Sequence, residues 1–408
     1  MSDQMSLLEL SELEDDLVPE ILPSTASLSI KADVTKLKAL FSRASSVTPL
    51  KEIIPGTAYA LFEALPATSD VVSHLRITAS DGEQTVSVVE DGVSVKVPGS
   101  VLLPPKRVLD ILRLAPTTTV DITVVGSTAL VRSGRARWTV QVPVGEINTF
   151  GLDEVSGIKL APVPVVPFLC ALMAARKAAS TSAARVSLMQ VKVKDSAILA
   201  CDGGRLHKAT VAGLDPTMDT TIPVSTVDEL IKALDGATDL LMGFDEHHLV
   251  FRAGADSIVA QRMLLPFPDV QQLLLGPQVT NTMGLLVDRM ELYEAIKRVR
   301  INADPDIAVV TLNIIRGARS ADDWALEVRS KDGAGNTAHE VMECQWKGKP
   351  KEVSFNHHHL TDLLEVCVAD TLILKLGGDT KANRTPLLVD DTDAGVMGIV
   401  QQVTNHWQ

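Results

Sequence analysis

The chain has 408 residues, more than one hydrophobic core usually serves, so two or three domains are expected. Hydrophobic residues reach 46% but aromatics only 3%, so the cores must be aliphatic, and a stacked-aromatic grip on single-stranded nucleic acid is disfavoured. The net charge is −13, of which residues 1–26 supply −7 with no Lys or Arg, so the chain is no general polyanion binder; local basic patches remain compatible with it.

Residues 1–26 read as an acidic, flexible tail in which Gln4-Met5-Ser6-Leu7-Leu8 precedes most of the carboxylates. A first helix is expected in "DVTKLKALFSRASSV", where Val34, Leu37, Phe41 and Ala44 recur at helical spacing. A second, "PPKRVLDILRLA", puts Val108, Ile111 and Leu112 on one face, and "VDITVVGSTALVRSG" after it reads as a hairpin. The pattern then returns. "PFLCALMAARKAAS" is a helix opening at Pro167, a residue suited to a first turn. "VSTVDELIKALDG" carries Val227, Leu230 and Ile231, and "TDLLMGFDEHHLVFRAG" is the next hairpin. A third passage runs "DRMELYEAIKRVR", with Leu292, Ile296 and Val299 in line, then "NHHHLTDLLEVCV" and the hairpin "DTLILKLGGDTKANRTPLLVDD". The repeating unit is strand, helix, several strands, helix, more strands. It predicts an α+β protein with three similar domains at 27–150, 151–277 and 278–408, each with antiparallel sheets and two helices on one face.

The polar stripes of these helices carry cations: Lys36, Lys38 and Arg43; Lys106, Arg107 and Arg113; Arg176, Lys177 and nearby Arg185; Arg289, Lys297, Arg298 and Arg300. Such a face suits a phosphate backbone. Ordinary solvated helix surfaces explain the same residues, and the segments 225–236 and 356–370 are net acidic. No GxxxxGK[ST] loop or GxSxG elbow occurs. His357, His358 and His359 are consecutive, so on a helix they diverge and make a poor metal set. Asp304 and Asp306 read as turn residues. Cys170, Cys201, Cys344 and Cys367 lie far apart and read as reduced thiols. With no signal peptide and no long apolar run, a cytoplasmic protein is expected, without membrane contact, metal, cofactor or catalytic site.

Three stretches carry more than patterning: "LVRSGRARWTV" (130–140), "LACDGGRLHKATV" (199–211) and "RMLLPFPDVQQLL" (262–274). In this order they resemble the β sliding clamp of the bacterial replicative DNA polymerase, which shows an R-S-G-R-x-R-F strand and T-D-G-H-R-L and F-P-D-Y turns at these places. The resemblance covers about residues 27–402 and includes the repeat number and length; it suits a divergent bacterial or phage member. It implies three clamp domains per chain, with sheets outside and helices inside, and a homodimer closed head-to-tail into a ring. It implies sequence-independent binding of duplex DNA at the nucleoid, and tethering of DNA polymerase and clamp loader to confer processivity. A sliding tether needs only loose attraction to phosphates.

The resemblance further implies a pocket between the middle and last domains for a peptide of the form Q-x-x-L-F or Q-L-S-L-F. Carried over by position, its wall is Leu188, Cys201, Gly203, Arg205, Leu206, Pro268, Gln272 and Leu273, with Val396, Met397 and Ile399 from the last strand. Ordinary core or turn packing is the competing account of these residues. Gly204 departs from the family histidine and Gln272 from the usual arginine, and the C-terminus runs on past the family's end. Gln4, Ser6, Leu7 and Leu8 themselves look like such a peptide. The tail then docks in a clamp pocket, or mimics DNA charge toward the basic helices, or only solubilises the chain. Two other functions stay open: a clamp-fold protein that sequesters partners without sliding, and an α+β enzyme whose site is invisible in sequence.

Overall fold

A computed structural model describes residues 26–49, 54–68, 71–147, 149–152, 154–317, 323–377 and 385–404. Gln4, Ser6, Leu7 and Leu8 lie outside the described residues. The chain groups into two compact units, residues 1–156 with 255–260, and residues 157–254 with 261–408.

In the first unit, α1 (Val34–Val47) and α2 (Pro105–Arg113) pack side by side. Asp33 starts α1: its carboxylate accepts from the backbone N–H of Thr35 at 2.7 Å and of Lys36 at 3.3 Å. Those two bonds hold its pKa below the ordinary carboxylate value. Pro105 opens α2, where its missing N–H costs nothing. One antiparallel sheet runs in the order Ser94–Val97, Leu28–Asp33, Thr119–Val125, Thr128–Ser133, Ala136–Gln141. A second pairs Gly99–Leu103, Ala60–Leu65, His74–Ser80 and Gln84–Asp91, with residues 257–260 along its last strand. The stacked pair Phe41 and Phe62, 5.5 Å between centroids, sits in an otherwise aliphatic interior.

The second unit holds α3 (Val165–Ala178), α4 (Val224–Leu234), α5 (Gln271–Thr280), α6 (Arg289–Val299) and α7 (His357–Val366). A twelve-stranded sheet runs from Thr220–Pro223 at one edge to Lys351–Asn356 at the other. Its strands come from both the 151–277 and the 278–408 segments, joined where Arg205–Thr210 pairs with Val396–Val400. All six expected helices form, and the α+β class with antiparallel sheets is as expected. Two details differ. The helix expected from Pro167 starts at Val165, because the Pro164 carbonyl already accepts from Phe168 N at 3.0 Å. And α5 was not expected. Gly276 and Pro277 are poor helix formers, but Pro277 stands near the C-terminus of α5, where its missing N–H frees only the Leu273 carbonyl.

His357 is buried, His358 exposed and His359 half-buried, so the triplet diverges. The Asp304 carboxylate accepts from Asp306 N and Ile307 N, as a turn residue does. Among the described residues no group of three or more His, Cys, Asp or Glu is placed to hold a metal, and no helix is long and apolar enough to cross a membrane.

Candidate partner-binding groove

Four strands build the floor: Ala197–Cys201, Arg205–Thr210, Val396–Val400 and Leu387–Asp391. Their register sets Cys201 opposite Leu206, Leu206 opposite Ile399, and Ile399 opposite Leu388. The next row on that face is Lys192, Leu199, Lys208 and Met397. Ala197, Leu199, Cys201, Leu206, Val270, Leu388 and Ile399 form a buried cluster, with Leu188, Phe267, Leu274 and Met397 packed on it. Phe267–Gln271 and the start of α5 run along this face and leave a groove of about 720 Å³, within the usual range for a ligand site. One wall is apolar, from Phe267, Pro268, Val270, Leu274 and Leu275; the other sets Leu199 and Met397 among Lys192, Lys194 and Lys208. Gln278 Nε2 donates to Met397 Sδ at 3.3 Å across the end of α5. Burial pushes the Cys201 thiol up to about 11, with the Asp202 charge adding to the shift, so Cys201 serves as a neutral apolar residue.

The opposite face carries Arg205, His207, Val396 and Gly398, because successive strand residues alternate. Here α3 and α7 cover the sheet. His207 is fully buried, with Nδ1 2.8 Å from the Ala174 carbonyl. A Cβ on Gly398 would collide with the Leu363 side chain, so this close approach of α7 requires glycine.

At the edge of that face lies a second, polar cavity of about 1070 Å³, around the turn 202–205. Asp202 Oδ1 accepts from Gly204 N at 2.9 Å and Arg205 N at 3.0 Å, and Gly203 takes φ +92°, which favours glycine. Arg205 Nε donates to Asp202 at 2.9 Å, and its Nη1 donates to Asp362 on α7. Lys177 on α3 bridges Asp362, at 3.4 Å, and Glu365, which also accepts from Tyr293 OH at 2.6 Å. Burial works against the Lys177 ammonium, yet Glu365 and Asp362 outweigh it and hold its pKa above the ordinary value.

The eleven residues assigned to the pocket wall therefore separate. Leu188, Cys201, Leu206, Pro268, Met397 and Ile399 belong to the groove or the cluster beneath it. Gly203 and Arg205 line the polar cavity instead, and Val396 shares the helix-covered face with Gly398. Gln272 and Leu273 are exposed on α5 and do not line the groove; Leu274 and Leu275 do. Phe267, Val270, Leu274, Lys192 and Lys208 were missed. Val270 and Leu274 stand four apart, a helical spacing that a reading of "PDVQQLL" as a helix start exposes.

The helix cations are mostly paired. Lys36 meets Glu90 at 2.8 Å, Arg176 grips Asp228 through two bonds of 2.6 and 3.1 Å, Lys297 meets Glu294 at 2.9 Å, and Arg298 holds Glu340 through two bonds of 2.7 and 2.6 Å. Lys106 donates to the Thr48 carbonyl, and Arg185 to that of Asp202. Arg43 is the clearest departure from a DNA-facing position: its side chain is only 14% exposed and pairs with Asp256 at 3.5 Å inside the first unit. Lys38, Arg107 and Arg300 make no ion pair among the described residues, and Arg107 and Arg300 are exposed.

An α+β chain of antiparallel sheets backed by pairs of helices, repeated along its length, defines a protein of the DNA-clamp fold. Residues 67–150 match the family described as DNA polymerase III beta subunit, N-terminal domain. The beta sliding clamp of Pseudomonas aeruginosa is 24% identical over 331 residues, covering 74% of this chain and 84% of that protein. The clamp of Staphylococcus aureus is 24% identical over 356 residues, covering 81% and 89%. Among solved structures, the Thermotoga maritima DNA polymerase III beta subunit aligns with TM-score 0.77 at 19% identity over 93% of this chain and 100% of that one. The Pseudomonas aeruginosa clamp bound to griselimycin aligns with TM-score 0.76 at 19% identity over the same shares. Over most of its length the chain is similar in sequence and in fold to the β sliding clamps of DNA polymerase III.

Proposed function

We propose that the chain is the subunit of a sliding clamp: three clamp domains per chain, two chains closed head-to-tail around duplex DNA, and a groove that tethers polymerase and clamp loader by short peptides. The observation that carries this reading is the apolar groove beside the strand pairing of Arg205–Thr210 with Val396–Val400, in a chain of clamp fold. Such a protein works as a non-catalytic cytoplasmic factor at the nucleoid. Closure of two copies has complementary edges to use. Ala136–Gln141 ends its sheet and, with the residues before it, carries exposed Arg132, Arg135 and Arg137. Among the described residues Thr337–Trp346 is bonded along one side, but on the other only through Gln345 and Trp346, and the remainder carries Glu343 and the Glu340 that Arg298 holds. An unpaired edge is a template for another strand, and opposite charges fix the partner. The deciding experiment is loading onto nicked circular DNA. A clamp stays bound to the circle at high salt and leaves when the circle is cut; loss at high salt from intact circles overturns the sliding model.

The pairing of most helix cations favours one second reading, a clamp-fold protein that holds partners without DNA. It predicts peptide binding without retention on circles, so the same assay separates the two.

A further inference from the structure

The groove has two unlike walls, and one segment of this chain suits both. The α5 side is apolar, from Phe267, Val270, Leu274 and Leu275; the sheet side offers Lys192, Lys194 and Lys208. Lys192 and Lys194 share one carboxylate, that of Asp219, and Lys208 makes no ion pair among the described residues. Asp269, also on the groove, is engaged by Gln271 N at 3.0 Å at the start of α5. A fitting occupant buries leucine-sized side chains on one side and turns carboxylates to the other. Residues 4–17, "QMSLLELSELEDDL", interleave Leu7, Leu8, Leu10, Leu13 and Leu17 with Glu9, Glu12, Glu14, Asp15 and Asp16, and hold no cation.

We propose that this segment docks in the groove, so that the chain carries a competitor for its own partner site. The inference rests on the groove being that partner site. Where its linker spans the distance to a groove, a tethered segment gains an effective concentration of up to roughly millimolar, so docking too weak to persist as a free peptide still lowers apparent partner affinity. A partner with several-fold stronger anchors displaces it, which makes the tail a threshold for engagement.

The test uses the full chain carrying Leu7→Asp and Leu8→Asp, titrated into two labelled peptides, residues 2–20 and a Gln-Leu-Ser-Leu-Phe peptide. Both are expected to bind saturably. Leu274→Asp added to the chain should weaken both tenfold or more, and Lys208→Glu should weaken the residue 2–20 peptide more than the other. The unsubstituted chain should bind the Gln-Leu-Ser-Leu-Phe peptide at least threefold more weakly than the Leu7→Asp, Leu8→Asp chain. If that peptide binds while residues 2–20 do not, and the two chains bind it equally, docking is wrong and the groove stands. If neither peptide binds, the partner-site reading fails and docking with it.

Discussion

The imidazole of His359 occupies the space that a side chain at Gly204 would take: a Cβ there would lie 2.6 Å from its Cε1. Its Nε2 stands 3.7 Å from Asp202 Oδ2, on the carboxylate whose other oxygen holds Gly204 N and Arg205 N. The side chain absent at 204 is thus replaced in space by a residue of α7, 155 positions further along the chain. Gly204→Ala must push the ring aside and should cost about 1–2 kcal/mol. In a His359→Ala background the cost should drop by at least half. A double-mutant cycle in urea melts reads the coupling directly, and additive effects remove the claim.

Arg205 and Asp362 join the turn at 202–205 to α7, with Arg205 only 12% exposed. Asp362→Ala leaves a mostly buried guanidinium with Asp202 alone and should cost about 2 kcal/mol, little changed by salt. The exposed pair Arg113 and Asp110, 61% and 69% exposed, should give under about 0.5 kcal/mol on Asp110→Ala, and less in high salt. Equal losses from both would contradict the burial argument.

His207 is buried among α3 and the sheet, and burial lowers its pKa to about 4 from the ordinary 6.5. Between those values the unfolded chain takes up a proton that the folded chain refuses, so stability falls as pH drops through that window. The contribution is on the order of 3 kcal/mol between pH 7 and pH 4. His207→Gln keeps a donor for the Ala174 carbonyl and should flatten this part of the stability–pH curve; an unchanged slope assigns the acid sensitivity elsewhere.

Leu274 lines the groove and neighbouring Leu273 is 56% exposed outside it. Leu274→Ala should weaken binding of a Gln-Leu-Ser-Leu-Phe peptide about tenfold, near 1.4 kcal/mol, and Leu273→Ala less than twofold. Calorimetric titration of both variants settles which leucine the site uses.

The edge strand Ala136–Gln141 and the open side of Thr337–Trp346 predict a charge-dependent dimer. Arg137→Glu should shift sedimentation from dimer to monomer, and Arg137→Glu of one chain mixed with Glu343→Arg of another should restore mass. Dimers of both wild type and Arg137→Glu would place the interface elsewhere, and a monomeric wild type would remove the proposed dimer. Ile301, an apolar residue 80% exposed beyond α6, is a second site for the same measurement.

The sequence by itself determined the parts that depend on near neighbours. Six helices were legible because Val34, Leu37, Phe41 and Ala44, and their counterparts, repeat at the period of a helix. The hairpins showed through alternation and turn residues, and the repeat showed through the order of both. The helix α5 was hidden, because Gly276 and Pro277 speak against a helix that packing of Val270 and Leu274 nonetheless holds in place. What only the tertiary structure decided is which side of each strand does the work. One-residue steps put Met397 on the groove, Ile399 in the cluster beneath it and Val396 under the helices, and they put Leu206 in that same cluster and Arg205 beside Asp362. The cations of the helix faces likewise depended on carboxylates far away in sequence, as with Arg43 and Asp256 or Arg298 and Glu340. Local periodicity follows from backbone geometry shared by every chain, whereas strand register and ion pairing are set by long-range packing, in which a single-residue shift turns a side chain to the opposite face.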